Sequence, residues 1–153
     1  MENCTLCRYV LSDETARLLC DGKLWKVVLS PDQQYLGKSL FTLKRHAASL
    51  RDLSDEESTE LFILIKRFES SLIKSYRPTH FNWSCLMNKA ADPRSNEPFH
   101  VHWHAIARYD QEREINGEKF IDQRWPNSAR DMAKHLPRAE TMKIIRDRIA
   151  SNF

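Results

Sequence analysis

Glycine is scarce in this chain, at 3 of 153 residues, and no repeat, low-complexity tract or linker interrupts it, so there is no candidate flexible hinge. No apolar run approaches the roughly 18 to 20 residues of a membrane span. The first residues, MENCTLCRYV, lack the charged-then-apolar pattern of a secretory signal, so a cytoplasmic protein without a membrane partner is expected. Cysteine is limited to Cys4, Cys7, Cys20 and Cys85, too sparse for the crosslinked framework of a small secreted domain. Neither sign of charge dominates: 24 Lys and Arg face 21 Asp and Glu. A formal net charge of +3 is no nucleic-acid footprint by itself, though small anions fit it. No cysteine follows Cys85, which argues against a C-terminal zinc finger for DNA.

What is present is enough for one folded unit. With 41% hydrophobic residues, residues 1–153 can bury a core without crosslinks. ARLLCDGKLWKVVLS reads as two short strands around Asp21-Gly22, a pair that tolerates the positive φ angles of a tight hairpin. A third strand is expected at Ser39 to Leu43. The period then changes: Ser54 and Glu57 form an S-x-x-E capping box, and Leu61, Ile65, Phe68 and Leu72 mark one buried face of a helix that Arg77-Pro78 should end. HFNWSCLM alternates as a strand and KAADPRSNEP reads as a loop. INGEKF carries an Asn116-Gly117 turn, and the tail from Ser128 holds helical patterns broken by Pro137. Met142, Ile145 and Ile149 share one face of the last helix. Strands beside strands with one long helix inserted predict an antiparallel α+β domain rather than a wound βαβ sheet.

The stretch PFHVHWHAIARYD, Pro98 to Asp110, holds three of the six histidines at alternate positions. In a strand, His100, His102 and His104 would line one face while Val101, Trp103 and Ala105 line the other. An accidental polar face explains a single strand histidine well, but three in register far less well, because histidine is uncommon and poor at stabilising strands. The chemistry left open is a metal site, acid/base catalysis or a nucleophilic imidazole. Cys4-x-x-Cys7 is a second candidate: two thiolates can bind one Zn²⁺, but a structural tetrahedral site needs two more nitrogen or sulfur ligands. Free surface thiols are the alternative. A thioredoxin-like pair is disfavoured, because no strand precedes it and no βαβ unit follows.

His100-Val-His102-Trp-His104-Ala-Ile resembles the His-φ-His-φ-His-φ-φ signature of the histidine triad (HIT) family of nucleotide hydrolases and transferases. The likeness runs over about residues 4–110. Cys4-x-x-Cys7 is similar to the N-terminal zinc pair of bacterial and archaeal members, LKRHAASLRDLSDEE to the segment entering the family's long helix, and NWSCLMNKA to the stretch before the histidine strand. The resemblance implies a HIT-like fold: an antiparallel sheet of about five strands, one long helix and a C-terminal helical segment over about 111–153, paired into a homodimer. It implies that His102 is the nucleophile at a nucleotide's α-phosphorus, with His104 handling the phosphate or leaving group. Asn88 and Asn96 would donate to phosphate oxygens, and Asp32 would contact ribose. His46 and His100 would complete a structural zinc site with Cys4 and Cys7. The implied activity is hydrolysis of dinucleoside polyphosphates, nucleoside phosphoramidates or AMP esters through a nucleotidyl-histidine. A transferase or phosphorylase of the same superfamily and a low-turnover nucleotide-binding module are the alternatives. Glu97 departs from the pattern, standing where a small hydroxyl residue often meets the phosphate; an inward carboxylate would oppose an anion.

Other residues have simpler explanations. His80 and His135 read as surface residues, Cys20 and Cys85 as small core residues, and Trp25, Trp83 and Trp103 as core or dimer contacts. Lys44, Arg45, Lys89 and Arg94 are equally a phosphate rim or a solvated face.

Overall fold

The protein is described by a computed structural model over residues 3–12, 15–129 and 133–153. A five-stranded antiparallel sheet forms its centre, built from β1 (Leu18–Asp21), β2 (Trp25–Leu29), β3 (Ser39–Leu43), β4 (His80–Ser84) and β5 (His102–Arg108), in the order β1-β2-β3-β5-β4. The strand that carries His102 and His104 is therefore an interior one, paired with β3 on one side and β4 on the other.

Helix α2 (Asp55–Tyr76) covers one face. It starts where the sequence places it: the Ser54 hydroxyl accepts from the Glu57 N–H while the Glu57 carboxylate accepts from the Ser54 N–H. It ends where Arg77 turns left-handed at φ 51, one residue before Pro78. Leu61, Leu64, Phe68 and Leu72 pack from this helix onto Trp25, Val27, Phe41, Ala105 and Ala107 of the sheet. Phe41, Phe68 and Trp83 meet edge to face with ring centroids 5.1–5.7 Å apart, a geometry that adds to their area burial. The tryptophans accordingly serve the core: Trp25 is fully buried with its Nε1–H on the Glu57 carbonyl, and Trp103 packs against the same cluster.

The C-terminal part joins this core as well. A hairpin of β6 (Arg113–Ile115) and β7 (Glu118–Phe120) turns at Asn116-Gly117, whose φ angles of 53 and 74 are those of a type I′ turn. Helix α4 (Ala139–Ala150) buries Ile145 and Ile149 in the core, with Met142 beside them. Glu118 ties the two pieces together. Its carboxylate accepts from Arg138 and Thr141, and these hydrogen bonds, Arg138's first, pull it down to about 2.

Several expectations need correcting. The link between β1 and β2 is not a tight positive-φ turn at Asp21-Gly22; residues 22–24 form a wider turn closed by the Gly22 N–H on the Trp25 carbonyl. Helix α1 (Thr5–Leu11) and the short α3 (Asn88–Ala91) appear where a helix was not expected, the latter inside the predicted loop. The helical pattern read from Ser128 includes residues 130–132, outside the described set, and residues 133–138 carry no helix. His135 is half-buried rather than simply exposed: it stacks on Phe120 at 4.5 Å with rings 4° from parallel.

Gly37 combines a positive φ with a close approach to α2. Its φ is 82, and a Cβ there would sit 2.8 Å from a Leu72 methyl. Gly37→Ala should cost about 1–3 kcal/mol, read as a lower midpoint in urea unfolding.

Candidate functional site

The sheet face opposite α2 carries the histidines. Register places Thr42 beside His102, and Leu40 and Ser84 on either side of His104. Because directly opposed residues share a face, His102, His104, Ile106 and Arg108 form one row that points away from the core.

His100 differs from its two neighbours. It lies just before β5, is 2% exposed, and its Nδ1 stands 3.3 Å from Cys4 Sγ and 3.4 Å from Cys7 Sγ. His46, in the segment after β3, places its Nδ1 3.3 Å from Cys7 Sγ. These four donor atoms lie within 4.8 Å of one another. Tetrahedral bonds of about 2.3 Å to sulfur and 2.0–2.1 Å to nitrogen put neighbouring S and N atoms roughly 3.5 Å apart, so the set fits a zinc ion. The tautomer also fits. His100 Nε2–H donates to the Leu43 carbonyl at 2.8 Å, which leaves the Nδ1 lone pair facing the thiols. Burial lowers the His100 pKa, keeping the ring neutral as a ligand must be, and burial raises that of the Cys7 thiol. Metal loading must then expel thiol protons, so affinity should weaken as pH is lowered.

Local structure brings these ligands together from three segments. Cys4 caps α1 and accepts the Cys7 N–H on its sulfur. The Val101 N–H donates to the Ala47 carbonyl, holding the His46 segment against the start of β5. Helix α1 has no buried residue of its own, and polar ties hold it instead. Lys26 Nζ, on a 4% exposed residue of β2, donates to the Val10 and Ser12 carbonyls. The Glu97 carboxylate accepts from the Thr5 N–H and hydroxyl, and these bonds lower its pKa. The departure at Glu97 thus has a local role at the start of α1.

His102 is held by the metal-site segment. Its Nδ1–H donates to the His100 carbonyl at 2.7 Å. This bond selects the tautomer with a bare Nε2. The His104 ring lies 5.0 Å from that of His102 and opens onto a cleft of about 550 Å³. Leu40 and Ile106 form its apolar floor, and Asn82, Ser84 and Lys38 bring polar groups.

The remaining candidates lie less centrally. Asn88 opens α3 and is exposed; Asn96 is exposed and lines a separate depression with Arg8, Lys89 and Glu97. Asp32 does not line the cleft: its carboxylate accepts from Gln34, Lys38 and the His135 N–H. Burial opposes its ionisation, but these donors together keep its pKa below the ordinary value. Sequence reasoning missed Arg108, which the alternation 102, 104, 106, 108 places on the histidine face, and Asp122, which pairs with it at 2.6 Å and for which no sequence signal exists.

Comparison with known proteins agrees with this geometry. The chain is similar in fold to a hypothetical histidine triad nucleotide-binding protein from Sulfolobus tokodaii, at TM-score 0.70 and 15% identity over 97% of this chain and 91% of that one. A zinc-bound histidine triad family protein from Mycobacterium smegmatis aligns at TM-score 0.63 and 22% identity, over 98% and 95%. A diadenosine triphosphate hydrolase from Plasmodium falciparum, solved with cyclomarin A, aligns at 0.60 and 18%, over 90% and 76%. Curated protein sequences give no match. The HIT domain model matches residues 13–111, which include β1 to β5 and all three histidines, and by that match the chain belongs to the histidine triad family.

Proposed function

We propose that the protein is a nucleotide hydrolase that cleaves at the α-phosphate of dinucleoside polyphosphates, nucleoside phosphoramidates or AMP esters. The observation that carries this reading is the 2.7 Å bond from His102 Nδ1–H to the His100 carbonyl, which presents an unprotonated Nε2 on an open face. That nitrogen attacks the α-phosphorus, an N–P bond forms and the bond from phosphorus to the leaving group breaks. His104, on the same face and at the cleft, delivers the proton that the departing oxygen or nitrogen requires. Water then attacks the nucleotidyl-histidine, giving up a proton as the N–P bond breaks and the nucleotide leaves.

Asn88 and Asn96 supply amide donors for phosphate oxygens in this reading, which requires their exposed loop to close over the substrate. Asp32 serves the ribose side at one remove, by holding Gln34 and Lys38 at the cleft. Zinc, at Cys4, Cys7, His46 and His100, supplies a fixed structural node, and His100 passes that rigidity to His102 through its carbonyl. Exposed Phe62, Ile63 and Ile73 on α2 support a homodimer, and paired thiols suit a reducing cytoplasm. Among the described residues no helix is long and apolar enough to cross a membrane.

The test is incubation with diadenosine tetraphosphate and with an adenosine phosphoramidate, with and without inorganic phosphate. Release of AMP in both conditions supports a hydrolase. ADP formed only with phosphate would establish a phosphorylase, and tight AMP binding without turnover would leave a binding module.

A further inference from the structure

The family match ends at residue 111, yet the cleft beside His104 is bounded in part by Ser128 and Ala129. Resting on the nucleotide reading above, we infer that the segment from Asp122 to Ala129 is a built wall of the substrate cleft. It determines which nucleoside half is accepted, and Arg108 is its positioning residue.

Arg108 and Asp122 form a buried ion pair, with side chains 3% and 1% exposed. Arg108 Nε donates to Asp122 Oδ2 at 2.6 Å and an Nη to Oδ1 at 3.2 Å, a two-pronged contact. The rest of the guanidinium is also used: it donates to Asn82 Oδ1 and to the Asn127 carbonyl, both at 2.8 Å. Tyr35 and Trp125 place their rings 5.4 and 5.8 Å from its central carbon. Burying two charges costs roughly what their attraction returns, so such a pair adds little stability over an apolar pair. Its fork of donors does impose one geometry.

Two groups belong to both the network and the cleft. Asn82 and Tyr35 touch Arg108 and also line the space beside His104, so the ion pair fixes the segment against the cleft itself. A second tie lies further along the chain. The His135 N–H donates to Asp32 at 3.0 Å and its carbonyl accepts the Gln33 N–H at 2.8 Å, joining it to the loop whose Gln34 and Lys38 line the same cleft. Between these ties the wall presents two small side chains, Ser128 and Ala129, and about 550 Å³ remains open in front of them, room for a base and ribose.

The experiment measures AMP binding by calorimetry and turnover of diadenosine tetraphosphate for the full-length wild type, Ser128→Trp and Ala129→Trp. Glu114→Trp, an exposed position of β6 outside both the segment and the cleft, is the control. Both cleft variants should weaken AMP and raise KM about tenfold or more, with kcat nearly unchanged and the control silent. Arg108→Lys keeps the charge but loses the fork and should likewise raise KM rather than lower kcat. AMP affinity within roughly twofold of wild type in both cleft variants would overturn the wall. A fall in kcat at constant KM in Arg108→Lys would overturn its positioning role. A wild type that binds no AMP would instead sink the nucleotide reading, and this inference with it.

Discussion

His102→Asn should reduce nucleotide release by at least about 1000-fold, since removal of a covalent nucleophile leaves only binding and electrostatic assistance. The asparagine keeps a side-chain amide able to donate to the His100 carbonyl, so the strand should hold its shape. Zinc content and the thermal midpoint are expected to match the wild type within error, because His102 is not among the four clustered ligands. The decisive measurement is single-turnover release of AMP together with trapping of labelled nucleotide on the protein. Wild type should accumulate label at His102 in an acid-labile linkage, and the variant should carry none. A variant that turned over at full rate would remove His102 from the mechanism.

Cys4→Ser with Cys7→Ser should have the largest effect on stability. Zinc would fall from about one per chain to near zero by atomic absorption, because two neutral hydroxyls replace two thiolates. At free zinc 100- to 1,000-fold above its dissociation constant, binding adds about 2.7–4.1 kcal/mol. For a chain of this length, that corresponds to a loss of roughly 5–15 °C in thermal midpoint. The loss should be localised: α1 has no buried residue, so hydrogen exchange over residues 3–12 should accelerate well before that of α2. One zinc per chain persisting in the double variant would refute the ligand assignment.

Much of the fold was legible because it rests on periodicity. The capping box at Ser54, the apolar rows of α2 and α4, the alternation of β5 and the Asn116-Gly117 turn all express buried faces or backbone needs that local sequence records. Helix α1 lacks that record, since what holds it is a lysine from β2, a carboxylate from residue 97 and a cluster of metal-ligating side chains. The meeting of Cys4, Cys7, His46 and His100 was reachable through likeness to the HIT family, whereas C-x-x-C by itself left two ligands unnamed. Asp32 shows the opposite limit. Its type suited a ribose contact, but three-dimensional packing gave its oxygens to Gln34, Lys38 and the His135 backbone. The Arg108 network is illegible for a similar reason: its partners Asn82, Asp122 and Asn127 come from separate stretches with no shared period.

The ligand set also dictates an order of events on the ribosome. Cys4 and Cys7 emerge first, while His100 follows 96 residues after Cys4. At roughly 5–20 residues per second, the thiols wait on the order of 5–20 s before their last partner exists. The nascent segment bearing Cys4 and Cys7 therefore spends that interval as an open dithiol, exposed to oxidation and to competing metals, until synthesis of the histidine strand allows the site to close.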